Sequence, residues 1–183
     1  MFRAVSWKAV HDRLPLDDDA AVSQIAGQAT IEVEGGIVRI DGHDVTRAIR
    51  TPEVDAAASA VAKLPTVRSL LVARQRAYGV GGVVMEGRDI GTVVFPDANV
   101  KIYLDASAEE RARRRTADAG HTGGAAGTAA VAKAMAERDK ADSTRAVAPL
   151  TLAPGAVYID TTALSIDEVV GQVMALVEQA ARR

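Results

Sequence analysis

Val83-Val84-Met85-Glu86-Gly87-Arg88-Asp89-Ile90-Gly91-Thr92 is an apolar run that stops abruptly on an arginine and an aspartate flanked by glycines. Such a run reads as a strand, Val83 to Glu86, with a charged pair at its end. In open α/β sheets ligands lie outside the carboxyl ends of the strands, so Arg88 and Asp89 stand where a phosphate and a polar group could be read. Further on comes Glu137-Arg138-Asp139-Lys140-Ala141-Asp142-Ser143-Thr144-Arg145. On a helix Arg138, Asp142 and Arg145 fall at i, i+4 and i+7, which puts two guanidinium groups around a carboxylate on one face. Together the two segments read as half of a phosphoryl-transfer site. A Gly-x-x-x-x-Gly-Lys-[Ser/Thr] loop, which cradles a nucleoside triphosphate, occurs nowhere in the sequence.

Outward from this centre, strand and helix alternate. Val100 to Asp105 and Ala156 to Asp160 read as further strands of a parallel sheet with helices on both faces. Ser107-Ala108-Glu109-Glu110 and Ser165-Ile166-Asp167-Glu168 are capping-box signatures for two helices. The second of these helices carries Ile166, Val169, Val170, Val173 and Val177 as one apolar stripe. Before the centre, Thr51-Pro52-Glu53 opens a helix and Leu64-Pro65 hands over to another with Arg68, Arg74 and Arg76. Residues 29–34 and 37–42 alternate apolar and polar around Gly35-Gly36, a hairpin pattern, and Val45 to Ile49 is expected to add a third short strand. A helix from Phe2 to about Val10 precedes it, and Asp17, Asp18 and Asp19 read as the start of a short second one. Gly120 to Gly127 reads as a flexible loop or lid.

Composition narrows the function. The 183 residues, 48% of them hydrophobic, can bury a sizeable core and suggest one domain with room for a small appendage. A net charge of −2 and a pI near 5.9 give no global attraction to nucleic acid or anionic membrane, so any anion site must be local. There is no cysteine, which excludes disulfides, thiolate nucleophiles and cysteine-ligated metals and fits a reducing compartment. His11, His43 and His121 have no metal-site spacing, so no metal ligand is expected. No apolar run is long enough to span a bilayer, and Arg3, Lys8 and His11 interrupt any signal-peptide core, so a soluble, unsecreted chain is expected. Gly79, Gly81 and Gly82 do not make a phosphate loop, because no lysine follows and a strand comes next. From the residues alone, Arg88-Asp89 could be a surface ion pair, and a solvated, salt-bridged helix face accounts for Arg138, Asp142 and Arg145 as well as a site does. Ser59, on an Ala-rich helix, would pass for a packing residue.

Glu86-Gly87-Arg88-Asp89-Ile90-Gly91-Thr92-Val93-Val94-Phe95-Pro96-Asp97-Ala98, with Val100 to Ser107 and Glu109-Glu110-Arg111-Ala112, closely resembles bacterial cytidylate (CMP) kinases. So do Arg138-Asp139-x-x-Asp142-x-x-Arg145-Ala146-Val147-Ala148-Pro149-Leu150 and Ile49-Arg50-Thr51-Pro52-Glu53-Val54. The resemblance covers almost the whole chain and weakens only at Thr116 to Lys133. It implies an α/β, P-loop-kinase-like parallel sheet with flanking helices and a small antiparallel β insert. Residues 1–28 and 52–183 would form the core, with a lid at about 111–145, and 29–51 the monophosphate-binding insert. The implied reaction passes the γ-phosphoryl group of ATP to CMP or dCMP with Mg²⁺, in the pyrimidine metabolism of the cytoplasm.

By the same resemblance, Arg3, Arg88 and Arg145 hold the monophosphate's phosphate, where forked guanidinium groups suit bidentate contact. Ser59, Arg68 and Asp89 read cytosine, the carboxylate accepting from its exocyclic amine while the others donate to its carbonyl and ring nitrogen. Arg138 and Asp142 hold the sugar. Arg138 also reaches the transferring group, which makes Arg138 and Arg88 the catalytic pair, and Arg111 and Arg115, with Arg114 as another candidate, contact the triphosphate. The partners implied are small nucleotides, with no nucleic acid or membrane, and the complete form is expected to be a monomer. Relatives of this kind begin with a strand, a glycine-rich loop ending in lysine, a helix and a second strand leading into Asp-[Thr/Ser]-Gly-Ala-x-x-Arg. Here Met1-Phe2-Arg3 matches the last three positions of that motif. The chain is therefore expected to be an amino-terminally truncated kinase whose remaining strands expose an apolar edge. A mis-assigned start, a real loss and a separate complementing chain all fit that expectation. Two other functions fit the same residues: a non-catalytic nucleotide-binding module, or a kinase for another acceptor such as a different nucleoside monophosphate or shikimate.

Overall fold

A computed structural model of the chain describes residues 1–118, 127–144 and 148–182. The amino-terminal half builds one core from helices and a small sheet. Helix α1 (Phe2–His11) lies on α3 (Pro52–Val61), and α2 (Asp19–Gln28) on α4 (Pro65–Ala77). Between them Val5, Val22, Val61, Val67 and Leu71 are fully buried. The Asp17 to Asp19 cluster starts α2, as its composition indicates: Asp18 Oδ1 accepts from the Ala21 amide at 3.0 Å. Asp19 does more. Its carboxylate accepts from the Thr66 hydroxyl at 2.6 Å and from the Thr66 and Val67 amides at 3.2 and 3.3 Å. It thereby caps α4, whose own N-cap, Leu64, has no side chain able to do so. Across Leu64-Pro65, α3 and α4 meet at 101°.

The hairpin forms as its alternation requires. Strands β1 (Ile31–Glu34) and β2 (Ile37–Ile40) pair antiparallel with Glu34 opposite Ile37. Gly35 and Gly36 both take positive φ, 57° and 79°, the conformation of a type I′ turn. The third strand differs from expectation. It is β3 (His43–Asp44), while the predicted segment from Val45 onward leaves the sheet and ends in a 3₁₀ turn, Ala48–Arg50. The cause is Thr46. Its hydroxyl accepts the Val38 amide at 2.9 Å, taking the place of a backbone carbonyl and ending the ladder.

The carboxyl-terminal half is thinner. Strands β4 (Ile102–Asp105) and β5 (Val157–Asp160) pair in parallel, with Leu104 opposite Ile159. The expected strand at Val83 to Glu86 is a correction. Among the described residues this segment pairs with no strand, and Val84 is fully exposed. Apolar β-branched residues favour extended backbone, but a strand also needs a hydrogen-bonding neighbour. After it, Ile90–Val94 forms a single π-helical turn, closed by the Phe95 amide on the Ile90 carbonyl at 2.7 Å.

Helix α5 (Ala108–Ala117) is capped by Ser107, which accepts from the Glu110 amide at 3.1 Å. Only half of the expected capping box is present, because the Glu110 carboxylate turns to Arg113 and Arg114 instead. Those hydrogen bonds hold the Glu110 pKa at about 2, down from 4.5. The pair therefore stabilises the fold fully above pH 4.5 and progressively less as pH falls toward 2. A carboxyl ¹³C titration is expected to place the Glu110 midpoint near 2, and in Arg113→Ala/Arg114→Ala near 4.5.

Helix α6 (Thr128–Thr144) packs on α5, and α7 (Ile166–Ala181) begins with a complete Ser165–Glu168 capping box. The α7 stripe is present but only partly covered: Ile166 is 82% exposed and Val170 52%. No single helix among the described residues is long and apolar enough to cross a membrane. Residues 119–126, most of the Gly/Ala-rich stretch, lie outside the described residues.

Candidate functional site

Asp89 follows the unpaired Val83–Glu86 segment and leads into the π-helical turn, which sends its carboxylate inward. There it meets Arg68 of α4. Arg68 and Asp89 are only 4% and 7% exposed. Arg68 Nη1 donates to Asp89 Oδ2 at 2.5 Å, while its Nε and Nη2 donate to the Ala62 carbonyl at the end of α3 at 3.1 and 2.8 Å. The guanidinium lies 5.3 Å from the centre of the Phe2 ring. Burying an ion pair carries a large desolvation cost, which is tolerated only when the remaining donors are satisfied, as Ala62 does here. Gly87 makes the turn possible: a Cβ there would sit 2.8 Å from Ile90 Cγ1.

Arg88, next in sequence, turns the other way. It reaches α6, where Nη1 lies 3.0 Å from Asp139 Oδ1 and Nε 3.5 Å from Asp142 Oδ2. Arg111 of α5 pairs with the other oxygen of Asp139. A second centre forms around Asp55 in the first turn of α3. Arg3 of α1 pairs with Asp55 Oδ1 and Arg115 of α5 with Oδ2, while Arg138 Nη1 of α6 stands 3.7 Å from Oδ1. Arg3 Nη1 also donates to the Ile49 carbonyl at 2.6 Å. Arg138 links the two centres, its Nε lying 3.8 Å from Asp142 Oδ2.

Among the described residues, five guanidinium groups thus meet three carboxylates, an excess of positive charge. Burial holds the Arg3 pKa below its ordinary value. Asp55 pulls it back up, and Arg138 and Arg115 push it down. Arg138 Nε is buried and donates to no group among the described residues, lying 3.8 Å from Asp142 Oδ2. Such a cluster can neutralise and position a multiply charged anion. Among the described residues, no three His, Cys, Asp or Glu side chains are grouped to hold a metal ion.

Most of the residues singled out from the sequence converge here. Arg3, Arg88, Arg111, Arg115, Arg138 and Asp142 line one cluster, with the buried Arg68–Asp89 pair as a second feature of the same region. Ser59 is half-buried on α3, one turn beyond Asp55. Arg145 lies outside the described residues. Arg114 goes elsewhere, donating to the Thr161 hydroxyl at 2.9 Å and carbonyl at 2.5 Å, and so ties α5 to the end of β5. Two partners were not singled out from the sequence: Asp55 and Asp139. An aspartate in a first helical turn reads as a complement to the helix dipole, and only Asp139's place beside Arg138 hinted at more.

The chain matches the family profile described as cytidylate kinase over residues 1–179. It is 47% identical to a protein of Geobacillus sp. (strain WCH70) named cytidylate kinase, over 98% of this chain and 82% of that one. A protein of the same name from Desulforamulus reducens is 48% identical over 98% of this chain and 82% of its own. Another, from Bacillus velezensis, is 46% identical over 100% of this chain and 84% of its own.

Proposed function

The chain belongs to the cytidylate kinase family of nucleoside monophosphate kinases, and on that premise we propose how its residues serve transfer of the γ-phosphoryl group of ATP to CMP or dCMP, giving CDP or dCDP. The observation that carries this reading is the convergence of Arg3, Arg88, Arg111, Arg115 and Arg138 on one cluster, with an Arg138 Nε–H that has no acceptor among the described residues. Phosphoryl transfer needs little covalent chemistry from the protein, so positioning and charge neutralisation supply most of the rate.

Arg3, Arg88 and Arg145 take the acceptor's phosphate. The Arg68–Asp89 pair, with Ser59, reads cytosine, and Arg138 and Asp142 hold the sugar. Arg138, standing between Asp55 of α3 and Asp142 of α6, is the guanidinium assigned to the transferring group. Arg111 and Arg115 meet the triphosphate of MgATP, whose ion arrives with that substrate. In this reading residues 29–51 are the acceptor-binding insert and about 111–145 the lid. The setting is the cytoplasm, the partners are small nucleotides and the complete form is a monomer.

Titration calorimetry tests the acceptor assignment. CMP and dCMP are expected to bind about 10–100-fold tighter than AMP, the discrimination one well-placed polar base contact provides. Cytidine, lacking the phosphate, is expected to bind more weakly than CMP; in a form that also carries a glycine-rich phosphate loop, ADP release from MgATP is expected only when CMP or dCMP is present. Equal affinity for AMP and CMP would sink the cytosine assignment, and no binding of any monophosphate would sink the whole reading.

A further inference from the structure

We propose that the Asp55 carboxylate is a built-in counter-anion of the arginine cage, an internal competitor that a ligand's phosphate displaces. The inference rests on the reading that this cage takes a phosphate.

Asp55 is held by three helices other than its own. Arg3 comes from α1, Arg115 from α5 and Arg138 from α6, and they divide between its two oxygens. The positive end of α3 alone would favour an acidic residue here, but it would not gather three guanidinium groups around it. Asp55 and Ser59 are four residues apart on α3 and so share one face, which places the carboxylate on the same wall as the hydroxyl assigned to the ligand's base.

The cage is only partly filled by what Asp55 offers. A carboxylate brings one charge and two oxygens, whereas a phosphate monoester brings nearly two charges and three oxygens. Arg138 stays 3.7 Å from the carboxylate, and its Nε donates to no described group. An acceptor phosphate held through Arg3, a transferring group followed by Arg138, or a triphosphate met by Arg115 competes with Asp55 for the same guanidinium groups, of which Asp55 engages Arg3 and Arg115 closely. An incoming monoanion therefore only replaces the charge it displaces and gains little. A dianion gains the difference, so Asp55 acts as a filter for doubly charged ligands and screens the like charges of the empty cage from one another.

The test compares the wild-type chain with Asp55→Asn, using inorganic phosphate, acetate, CMP and cytidine as probes in calorimetry and thermal unfolding. Without ligand the variant is expected to melt at lower temperature, because the cage loses its counter-charge. It is expected to bind inorganic phosphate and CMP about tenfold tighter, about 1.4 kcal/mol, with cytidine unchanged and the preference for phosphate over acetate reduced. A residue with a merely structural role would not strengthen binding on removal. Equal or weaker phosphate binding by the variant overturns the proposal.

Wild-type protein supplies a measurement that does not depend on the variant folding. Saturating inorganic phosphate is expected to shift the Asp55 carboxyl ¹³C resonance as its guanidinium partners leave, and an unmoved resonance overturns the proposal. Failure of the two readings is distinguishable. If phosphate affinity rises in Asp55→Asn but neither protein binds CMP, the nucleotide assignment fails and the counter-anion stands. If CMP binds both proteins equally and inorganic phosphate affinity is unchanged, the counter-anion fails and the nucleotide assignment stands.

Discussion

Asp89→Ala is expected to cost about 3–5 kcal/mol of folding stability, the penalty for leaving a buried guanidinium without its counter-charge. Arg68 is 4% exposed, and Asp89 is its short partner at 2.5 Å. In the variant Nε and Nη2 keep the Ala62 carbonyl, but Nη1 loses its acceptor and the positive charge remains enclosed. Urea unfolding measures the loss, and the melting temperature is expected to fall by roughly 6–20 °C for a chain of this size. Arg68→Met/Asp89→Leu, which removes both charges and keeps apolar volume, is expected to be far less damaging than the single change. A cost below about 1 kcal/mol for Asp89→Ala would mean that the pair behaves as an exposed one, contrary to its burial. If the pair reads cytosine as proposed, the double variant folds and loses the preference for CMP over AMP.

Arg138→Gln is expected to do the reverse. Its ion pairs are long, 3.7 Å to Asp55 and 3.8 Å to Asp142, so the stability change should stay within about 1 kcal/mol. If Arg138 follows the charge of the transferring group, kcat in an ADP-release assay of a form carrying the glycine-rich phosphate loop falls about 10²–10³-fold, as when an oriented transition-state donor is removed. A rise in KM with kcat unchanged would instead assign Arg138 to ground-state binding of the acceptor alone. Measured together, the two variants separate what the Arg68–Asp89 pair and Arg138 each contribute to stability from what each contributes to binding and turnover.

The difference between these arginines was not visible in the sequence. Arg88 and Asp89 were legible as a charged pair after an apolar run, but they part company, one toward α6 and the other toward α4. Asp89 leads into the π-helical turn at Ile90–Val94, which has no composition signal of its own. The hairpin was legible because Gly35-Gly36 demands a primed turn, and α3 because Thr51-Pro52 is a cap followed by a first-turn proline. Local chemistry misled where a side chain competed with the backbone. Thr46 ended the third strand early, and Glu110 left its capping box for two arginines. Val83 to Glu86 reads as a strand by composition, but pairing is a tertiary property. Asp55 could not be found because its partners lie 52, 60 and 83 residues away, at Arg3, Arg115 and Arg138.

Burial is concentrated between α1 and α4, while β4, β5 and α7 hold few fully covered side chains. Cooperative opening should therefore begin in the carboxyl-terminal half, whose amides exchange with solvent sooner than those of Val61 or Leu71. The arginine cluster straddles that divide: Arg3 and Asp55 belong to the well-packed side, and Arg88, Arg111, Arg115 and Arg138 to the looser one. An anion held by both sides works as a rivet. Such an anion, once bound, disfavours opening of the looser half by RT ln(1 + c/Kd) at free concentration c, so occupancy of the site and rigidity of a whole half of the molecule are thermodynamically linked.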